Sequence, residues 1–427
     1  MGETIRMRTS AADTRAFRPG QVAALDIGSS KVVCLIGRAE PGNLRVAGAA
    51  LRESQGLRSG TVTSLEQVED SIAEAVQAAE NLADTRIQNV IISVNCGQPT
   101  SVTARAALSL DGELVSDGHL HALLSEARTR CAVEGFELIQ SAPTSYVVDE
   151  ARGVRDPSGM FCQRIGVSMH GVAVKISPLQ NLKLACERRH LTVAAALFAP
   201  YASGLATLTP DEMQLGATVI DMGGGVTSIA VFLEGALVHA EVVPMGGIHV
   251  TADLARMLAA PISAAERVKT LYGAALGDIE TGTDVVAIPQ TGEENDEHAI
   301  RVPRSMLTRI IQPRLEEILG DVHARLRASG YDVAAGRRAV LTGGASQLAG
   351  MRELAQRVLN KQVRIGRPKS FTGLPASSAG PDYSTALGLL MAGATMPPEA
   401  LNPELAEFPA ERRQNSFFRR LAGGLFG

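Results

Sequence analysis

The chain has 427 residues, of which 45% are hydrophobic and 20% charged, a balance typical of globular rather than disordered proteins. A formal net charge of −4 argues against nucleic acid as a partner, and no run of about 20 apolar residues is present to span a membrane. The five cysteines are scattered without a Cys-x-x-Cys pair, which disfavours a disulfide framework or a zinc site.

The N-terminal region contains the first informative turn. Residues 1–19 are polar and arginine-rich, so we expect a flexible extension rather than a signal peptide. Two short apolar strands, Val22–Leu25 and Val32–Ile36, then flank a glycine-containing turn. An aspartate at a strand end can bind Mg²⁺ or its waters, while hydroxyls and a lysine suit phosphate oxygens. The candidate residues of this turn are Asp26, Gly28, Ser29, Ser30 and Lys31.

The following region predicts an inserted module. Residues 64–83 have the spacing of an amphipathic helix. Residues 87–168 then predict a compact α+β unit, with strands at Asn89–Asn95, 101–110, Phe136–Ile139 and Ser145–Val148 and a helix at Asp117–Cys131. His119 and His121 lack the further ligands of a metal site and are interpreted as surface histidines. Since the unit has no catalytic constellation, we interpret it as an interaction module inserted into a first lobe.

Residues 218–233 repeat the pattern of the first turn. An apolar strand ends in Asp221, glycines follow, and a second apolar strand begins. Taken alone, this is equally consistent with an ordinary glycine-rich hairpin. Two such turns about 195 positions apart indicate an internal duplication, with one phosphate-binding turn in each of two lobes. The candidate residues of the second turn are Asp221, Gly223, Gly224, Gly225 and Thr227.

Downstream elements add further candidates. A turn at Gly246 and Gly247 precedes a predicted helix, and Glu266 and Lys269 share one face of the next helix, where a surface salt bridge is the simpler interpretation. A long helix is predicted at Pro303–Ser329. A strand then leads into the last turn, where backbone can approach a flat ring or a phosphate. This turn contains Gly343, Gly344, Ala345 and Ser346.

The C-terminal region changes character. Residues 396–411 are rich in proline and acidic residues and predict an extended linker. In residues 412–427, apolar and basic side chains fall on opposite sides of a helix at about 100° per residue, a pattern typical of membrane-surface helices. The alternative is a tail that docks on the body or on a partner protein. The candidate membrane residues are Arg412, Arg413, Phe417, Phe418, Arg419, Arg420, Leu421, Leu425 and Phe426.

These turns, in this order, resemble the actin, sugar-kinase and heat-shock chaperone ATPase superfamily. Within it, the chain resembles the FtsA family of bacterial cell-division proteins over residues 20–427, through the insert, the segment 264–273 and the amphipathic tail. The resemblance implies an α/β fold, a duplicated actin-like (ribonuclease H-like) two-lobe ATPase with an inserted small α+β subdomain. Its implied divisions are 20–86, 169–212 and 366–395 for the first lobe, 87–168 for the insert, 213–250 and 311–365 for the second lobe, and 251–310 for an outer subdomain.

The resemblance also implies a function. Such a protein binds ATP with Mg²⁺, polymerises at the cytoplasmic face of the inner membrane at the division site, and binds anionic lipids. It anchors the tubulin-like protein FtsZ through a surface within residues 250–310 and recruits later division proteins through the insert. By motif, Asp26 and Asp221 organise Mg²⁺ and phosphate through water, and Gly246 and Gly247 line the cleft. Glu266 and Lys269 reach the sugar and base, a role that the resemblance favours over the plain salt bridge, and residues 343–346 face the adenosine.

Two departures from the chaperone-like pattern bear on catalysis. Val226 follows the third glycine, so the hydroxyl comes one residue later, and Ala199 stands before Pro200 where chaperone ATPases have a carboxylate. Because phosphoryl transfer depends on positioning the nucleophile, we expect ATP binding with slow or negligible hydrolysis. The alternatives are a sugar kinase, for which no general base is identified, a chaperone ATPase, which needs a substrate domain after residue 395, and an actin-like pilus or shape scaffold.

Overall fold

The computed structural model describes residues 20–40, 43–277, 285–292 and 299–395. The extension 1–19, the linker 396–411 and the basic tail 412–427 lie outside the described residues, and with them all the candidate membrane side chains. Among the described helices, none is both long enough and apolar enough to cross a membrane.

The first half of the chain contains eleven strands and five helices within the described residues. The first segment contains β1 (Gly20–Ile27), β2 (Lys31–Glu40), β3 (Asn43–Glu53), β4 (Leu57–Arg58), β5 (Thr61–Val62), α1 (Leu65–Ala83) and β6 (Asn89–Val94). The insert contains β7 (Thr100–Leu114), α2 (Asp117–Thr129), β8 (Phe136–Val148), β9 (Ala151–Val154) and β10 (Phe161–Lys175). The third segment contains α3 (Ile176–Glu187), β11 (Thr192–Phe198), α4 (Ala199–Thr207) and α5 (Pro210–Leu215).

The second half repeats the same kinds of element. It begins with β12 (Ala217–Met222), β13 (Thr227–Leu233), β14 (Ala236–Val243), α6 (Gly247–Met257), α7 (Ile262–Tyr272), β15 (Val285–Ile288) and β16 (Ile300–Pro303). It continues with α8 (Arg304–Ala328), α9 (Tyr331–Ala334), β17 (Arg338–Thr342), α10 (Met351–Leu359), β18 (Gln362–Ile365) and α11 (Ser384–Thr395). Short 3-10 turns at Gly344–Gln347 and Pro381–Tyr383 precede α10 and α11.

The two lobes share one sheet design. The first sheet has the order β11-β6-β1-β2-β3, and the second has the corresponding order β18-β17-β12-β13-β14. In each, three antiparallel strands continue into two parallel ones. The register also repeats, since Asp26 pairs with Val33 in the first sheet and Asp221 with Ser228 in the second, an offset of 195 positions at both strands. The predicted duplication is therefore present.

The insert forms its own layer. Its sheet has the order β7-β10-β8-β9, and α2 covers one face with Leu120 and Leu123, which belong to a separate apolar core. The sequence predicted two short strands where the structure has the single strand β8. Pro143 cannot donate a ladder hydrogen bond, and a register shift beside it lets the strand continue.

Two sequence interpretations need correction. The predicted insert began at residue 87, but β6 pairs in parallel with β1 and β11 and so belongs to the first-lobe sheet. The structural insert therefore begins after Val94. Strand β3 was not predicted at all, although Leu44 and Val46 begin an alternating buried pattern along it. It turns the expected hairpin into a three-stranded meander.

The lobes meet at two crossed helices, α4 and α11. Gly388 of α11 lies directly against the α4 backbone, where an added Cβ would come 1.7 Å from the carbonyl oxygen of Ala202. Gly204 of α4 faces Phe232 of the second lobe, whose ring would lie 2.5 Å from an added Cβ. Small residues therefore allow this close helix crossing and fix how the lobes join.

We expect Gly388→Ala to lower stability by about 1–3 kcal/mol, because the added methyl overlaps backbone that cannot move aside without separating the helices. The measurement is the thermal unfolding midpoint. Gly320→Ala is the matched control: an added Cβ at this position in α8 meets no atom within 4 Å, so the midpoint should hold or rise slightly. Equal midpoints for the two variants would contradict the close crossing.

Candidate functional site

The two glycine turns have the same backbone geometry. In the first turn (Asp26–Lys31) the Gly28 N–H donates to the Lys31 carbonyl at 2.9 Å, and in the second turn (Asp221–Val226) the Gly223 N–H donates to the Val226 carbonyl at 2.9 Å. An added Cβ would come within 3.1 Å of the acceptor at Gly28 and 3.0 Å at Gly223. Both positions therefore favour glycine for close backbone approach.

The two turns face each other across the junction of the lobes. An added Cβ on Gly224 would lie 2.7 Å from Ser30 Oγ, and one on Gly225 would lie 2.4 Å from Ser29 Oγ. The first turn thus presents hydroxyls and the second presents bare backbone. The sequence predicted this pairing from the repeated pattern alone, and the structure brings these four residues together.

Asp26 lies at the end of β1 beneath the first turn. Ser93 of β6 donates its hydroxyl to Asp26 Oδ1 at 2.7 Å and accepts the Ile27 N–H at 3.1 Å. Burial raises the pKa of the Asp26 carboxyl to about 6, against the lowering effects of the Ser93 hydrogen bond and the Lys31 charge, while the nearby Asp221 charge raises it further. The nearby positive charge therefore does not offset the burial of the carboxylate. A bound cation would supply the missing charge.

Asp221 occupies the equivalent position in the second lobe and is almost fully buried. Its Oδ2 accepts hydroxyl hydrogen bonds from Ser203 of α4 at 2.6 Å and Thr385 of α11 at 2.9 Å. Its Oδ1 faces Gly343, where an added Cβ would come within 2.4 Å. One carboxylate thus joins the second turn, both crossing helices and the last glycine turn.

The turn before α6 packs directly on the second turn. The Gly247 and Ile248 N–H groups donate to the Gly223 and Gly224 carbonyls at 3.0 and 2.8 Å. An added Cβ on Gly246 would lie 2.5 Å from the Gly223 carbonyl oxygen. Gly246 and Gly247 therefore lie against the second turn, and we call this segment the α6 wall.

Glu266 and Lys269 of α7 reach this same wall. Lys269 Nζ contacts Glu266 Oε2 at 2.6 Å, Thr251 Oγ1 at 2.9 Å and the Gly247 carbonyl at 3.2 Å. Thr251 also donates to Glu266. Glu266 and Lys269 form the salt bridge and also lie beside Gly247. Polar groups of a ligand at this position could replace the contacts that the two side chains now make.

The last glycine turn lies opposite. Gly343 has φ of 82° and donates its N–H to the Pro381 carbonyl at 3.1 Å, which fastens the turn to the start of α11. Gly344 is exposed, and Ala345 lies against Gly247, 3.4 Å from where a Cβ of that glycine would be. This turn therefore faces the α6 wall across a gap lined by backbone.

Three candidates do not face the gap. The Thr227 hydroxyl is fully buried and donates to the Met245 carbonyl at 2.9 Å, and the buried Ser346 hydroxyl donates to the Gly343 carbonyl at 2.7 Å. Each hydroxyl proton is therefore donated to a protein carbonyl in this structure, and a direct ligand contact by either residue stays a prediction. Lys31 Nζ pairs with Asp382 at 3.6 Å and lies over the Tyr383 ring, beside α11 rather than between the turns.

Sequence reasoning missed the groups that hold the aspartates. Ser93 lies in the mostly apolar strand β6, Ser203 lies in the small-residue helix α4, and Thr385 lies in the first turn of α11. A lone hydroxyl inside a buried strand or helix is a usable signal, because it needs a partner there. The partners in these contacts, however, lie 18 to 182 positions away along the chain.

No group of three or more His, Cys, Asp or Glu side chains is placed to hold a metal ion, as far as the described residues go. Two carboxylates, Asp26 and Asp221, do lie near the facing turns. Mg²⁺ is commonly held by one or two carboxylates, with water and substrate phosphates completing its shell. The pair therefore fits an ion that arrives with a phosphate ligand.

A second polar cluster joins the insert to the second lobe. Ser101 of β7 accepts the Ala240 N–H at 2.7 Å, and its Oγ lies 3.0 Å from His170 Nε2 and 3.4 Å from His239 Nδ1. His239 also stacks on Tyr331. Burial, followed by the neighbouring His239, lowers the pKa of His170 to about 4.

On the second-lobe side, Glu241 completes this cluster. It contacts His239 at 3.2 Å and Arg325 at 2.5 Å. The hydrogen bond from His239, against desolvation and with help from Arg325, lowers the pKa of Glu241. The negative charge of the cluster therefore lies on Glu241, beside Arg325. On the insert side, the lowered pKa leaves His170 neutral at neutral pH.

Comparison with known proteins decides the family. A family model described as "Cell division protein FtsA" matches residues 218–388, and one described as "SHS2 domain inserted in FTSA" matches residues 96–173. The FtsA of Rhizobium meliloti is 40% identical over 413 residues, which cover 94% of this chain and 91% of that protein. The chain belongs to the FtsA family of cell-division proteins.

Other FtsA proteins agree. The Pseudomonas aeruginosa protein is 33% identical over 373 residues (87% of this chain, 89% of its own), and the Escherichia coli protein 34% over 386 residues (87% and 90%). The SHS2 match begins after β6, in accord with the corrected start of the insert.

Solved structures give the fold. A protein from the "PilM-PilN type IV pilus biogenesis complex" has a TM-score of 0.61 at 18% identity, covering 88% of this chain and 99% of that one. The ethanolamine utilization protein EutJ from Carboxydothermus hydrogenoformans has a TM-score of 0.50 at 15% identity, covering 88% and 92%. The fold is the expected actin-like two-lobe architecture with an inserted α+β subdomain.

We expect acid to weaken the junction at His170. Because its folded pKa is depressed, its contribution to stability is complete above about pH 6.5 and is lost as the pH falls towards 4, by up to about 3 kcal/mol. His170→Gln should therefore show a shallower fall of the thermal midpoint between pH 7 and 4.5 than the parent protein. His121→Gln, an exposed histidine of the same insert, should keep the parent slope. A parent-like slope in His170→Gln would reject this assignment.

Proposed function

We propose that the chain is an ATP-binding scaffold of cell division that polymerises at the cytoplasmic face of the inner membrane. It anchors FtsZ filaments there and recruits later division proteins through its insert. The observation that carries the proposal is the pair of glycine turns, equal in register and geometry, that face each other where the two lobes meet. Membership of the FtsA family supports the division role.

The phosphates would lie between the two turns. Backbone N–H groups without side chains can approach phosphate oxygens closely, and Ser29 and Ser30 add hydroxyl donors. The turns touch in this structure, so nucleotide entry requires the lobes to part slightly. Mg²⁺, when bound, supplies positive charge to the phosphate oxygens, and Asp26 and Asp221 would hold it through water.

The nucleoside would lie between the α6 wall and the last glycine turn. Gly247, Lys269 and Glu266 supply backbone and charged groups on one side. Gly344 and Ala345 supply a flat backbone surface on the other, suited to an adenine ring. The three segments belong to the second lobe, so the nucleoside would be held mainly there and the phosphates by both lobes.

The site favours holding ATP over hydrolysing it. The side chain at the N-terminus of α4 is the methyl group of the buried Ala199, which cannot orient a water molecule. Val226 contributes no hydroxyl, and the Thr227 hydroxyl is committed to Met245. Since phosphoryl transfer depends on positioning the attacking water, turnover should be slow and the bound nucleotide should act as a switch between lobe arrangements.

The basic tail would provide the membrane contact. Its four arginines face anionic headgroups while its phenylalanines and leucines enter the interface. The linker 396–411 follows α11 directly in the sequence. A surface within residues 250–310, on the outer part of the second lobe, would bind FtsZ.

Nucleotide binding is tested with Asp221→Asn, which keeps hydrogen-bond acceptors for Ser203 and Thr385 but removes the charge. We expect ATP affinity with Mg²⁺ to fall at least about tenfold, a loss of ~1.4 kcal/mol, with little change in EDTA. Binding of a fluorescent ATP analogue measures both. Asp211→Asn, an exposed carboxylate of α5, is the control and should bind as the parent does. An equal loss with and without Mg²⁺ would remove Asp221 from the metal site.

Membrane binding is tested by sedimentation with vesicles containing anionic lipid. Deletion of residues 412–427 should abolish pelleting. Arg419→Glu with Arg420→Glu should weaken it about 30-fold, because each basic residue contributes ~1 kcal/mol at such a surface. The matched control reverses Arg38 and Arg337, two exposed arginines outside residues 250–310, and should pellet normally. If the truncated chain pelleted as well as the intact one, the anchor role would be lost.

A further inference from the structure

The insert leaves one face of its sheet open. Helix α2 packs against the face that carries Ala104, Ala106 and Ile165. Residues of the opposite face alternate with these along β7 and β10 and are exposed or half-buried, as at Arg105 and Arg164. No described element covers that second face with an apolar core, so it is available to a partner.

This open face contains a groove of about 630 Å³, the insert groove. Small side chains form its floor, since Ser168 pairs with Arg105 on one side and Ser145 on the other, and Gly166 pairs with Ala107. Without large side chains on the floor, another chain can approach the sheet closely. The charged residues that line the groove are Arg105, Arg130, Arg152, Arg164 and Asp149.

The positive charge of the groove is largely uncompensated. Arg130 is engaged by Glu126 at 2.8 Å and by the Arg105 carbonyl at 2.8 Å. Asp149 Oδ1 accepts the backbone N–H groups of Gln163 and Arg164 at 3.0 and 2.8 Å rather than a guanidinium. Within the described residues, the guanidinium groups of the remaining three arginines take part in no ion pair.

We propose that the insert groove binds an acidic peptide segment of a partner protein. Arginine forks pair bidentately with carboxylates, and three unpaired forks around a narrow floor match a segment with several Asp or Glu side chains. The inference rests on the proposed role of the insert as a partner-binding module, and it adds where the partner binds and what chemistry it carries.

Two other polyanions fit the groove less well. Single-stranded nucleic acid is usually held by aromatic stacking as well as charge, and no aromatic residue lines this groove. A lipid surface is broad and engages apolar side chains that enter it, whereas the groove is concave and its floor is mainly Ser, Gly and Ala beside Val147. A flexible peptide can reach the floor.

The test uses the full chain and a fluorescein-labelled 12-residue peptide of alternating Glu and Ser, with an alternating Lys and Ser peptide as the control ligand. Fluorescence anisotropy at fixed salt gives the dissociation constants. We expect Arg152→Glu with Arg164→Glu to weaken binding of the acidic peptide at least tenfold. The matched double reversal Arg38→Glu with Arg337→Glu, at exposed positions outside the insert and outside residues 250–310, should change it less than twofold. Thermal midpoints and vesicle pelleting of both variants should match the parent.

Each outcome decides the proposal. Equal affinity of the groove variant and the parent for the acidic peptide would overturn it, as would an equal loss in both double variants, which indicates non-specific attraction. Groove-dependent binding of single-stranded RNA or anionic vesicles, without binding of the peptide, would also overturn it in favour of another polyanion. Vesicle pelleting depends on residues 412–427 and not on the groove. A negative result with the acidic peptide therefore leaves the proposed membrane anchor standing. A negative result in the pelleting experiment likewise leaves the groove proposal standing.

Discussion

The arrangement of the two lobes depends on one buried carboxylate. Asp221 accepts hydroxyl hydrogen bonds from both crossing helices, α4 and α11, at the point where Gly388 lets their backbones touch. A buried carboxylate is costly unless it is hydrogen-bonded, so its two partners are held in place and hold the helices in turn. The same residue ends the strand that leads into the second glycine turn. The second glycine turn is therefore linked through Asp221 to the crossing of α4 and α11.

The duplicated turns are equal in backbone but unequal in chemistry. The first carries Ser29, Ser30 and Lys31, whereas the second is three bare glycines. Asp26 has a single hydroxyl partner and a raised pKa, while Asp221 has two hydroxyl partners from the helices. The first lobe thus contributes polar side chains to the facing turns. The second lobe contributes bare backbone and the carboxylate that binds the two crossing helices. This difference supports the proposal that the site holds a nucleotide rather than hydrolysing it quickly.

Local patterns in the sequence were sufficient for most of the elements and for the duplication, although strand β3 was missed despite its alternating burial pattern. The repeated aspartate–glycine turns, the apolar strands around them and the helical spacing of α1 are properties of short windows, and the structure contains all of them. The other features that the sequence did not predict needed distant contacts. Strand β6 looks like the start of the insert until its parallel pairing with β1 is seen, and the inward orientation of Thr227 depends on the Met245 carbonyl. The Ser203–Asp221–Thr385 cluster joins positions far apart in the chain, and no local window contains it.

The hydroxyl of Ser101 has one more consequence, which concerns the exposed border of the second-lobe sheet. Strand β14 is the outermost strand there, and its unpaired backbone groups would offer a template to another chain. Ser101 both accepts from the Ala240 N–H and donates to the Ala240 carbonyl, at 2.7 and 3.2 Å, as a neighbouring strand would. The insert therefore shields this border with a side chain instead of a strand. A molecule that assembles through chosen surfaces gains from closing off an unintended one.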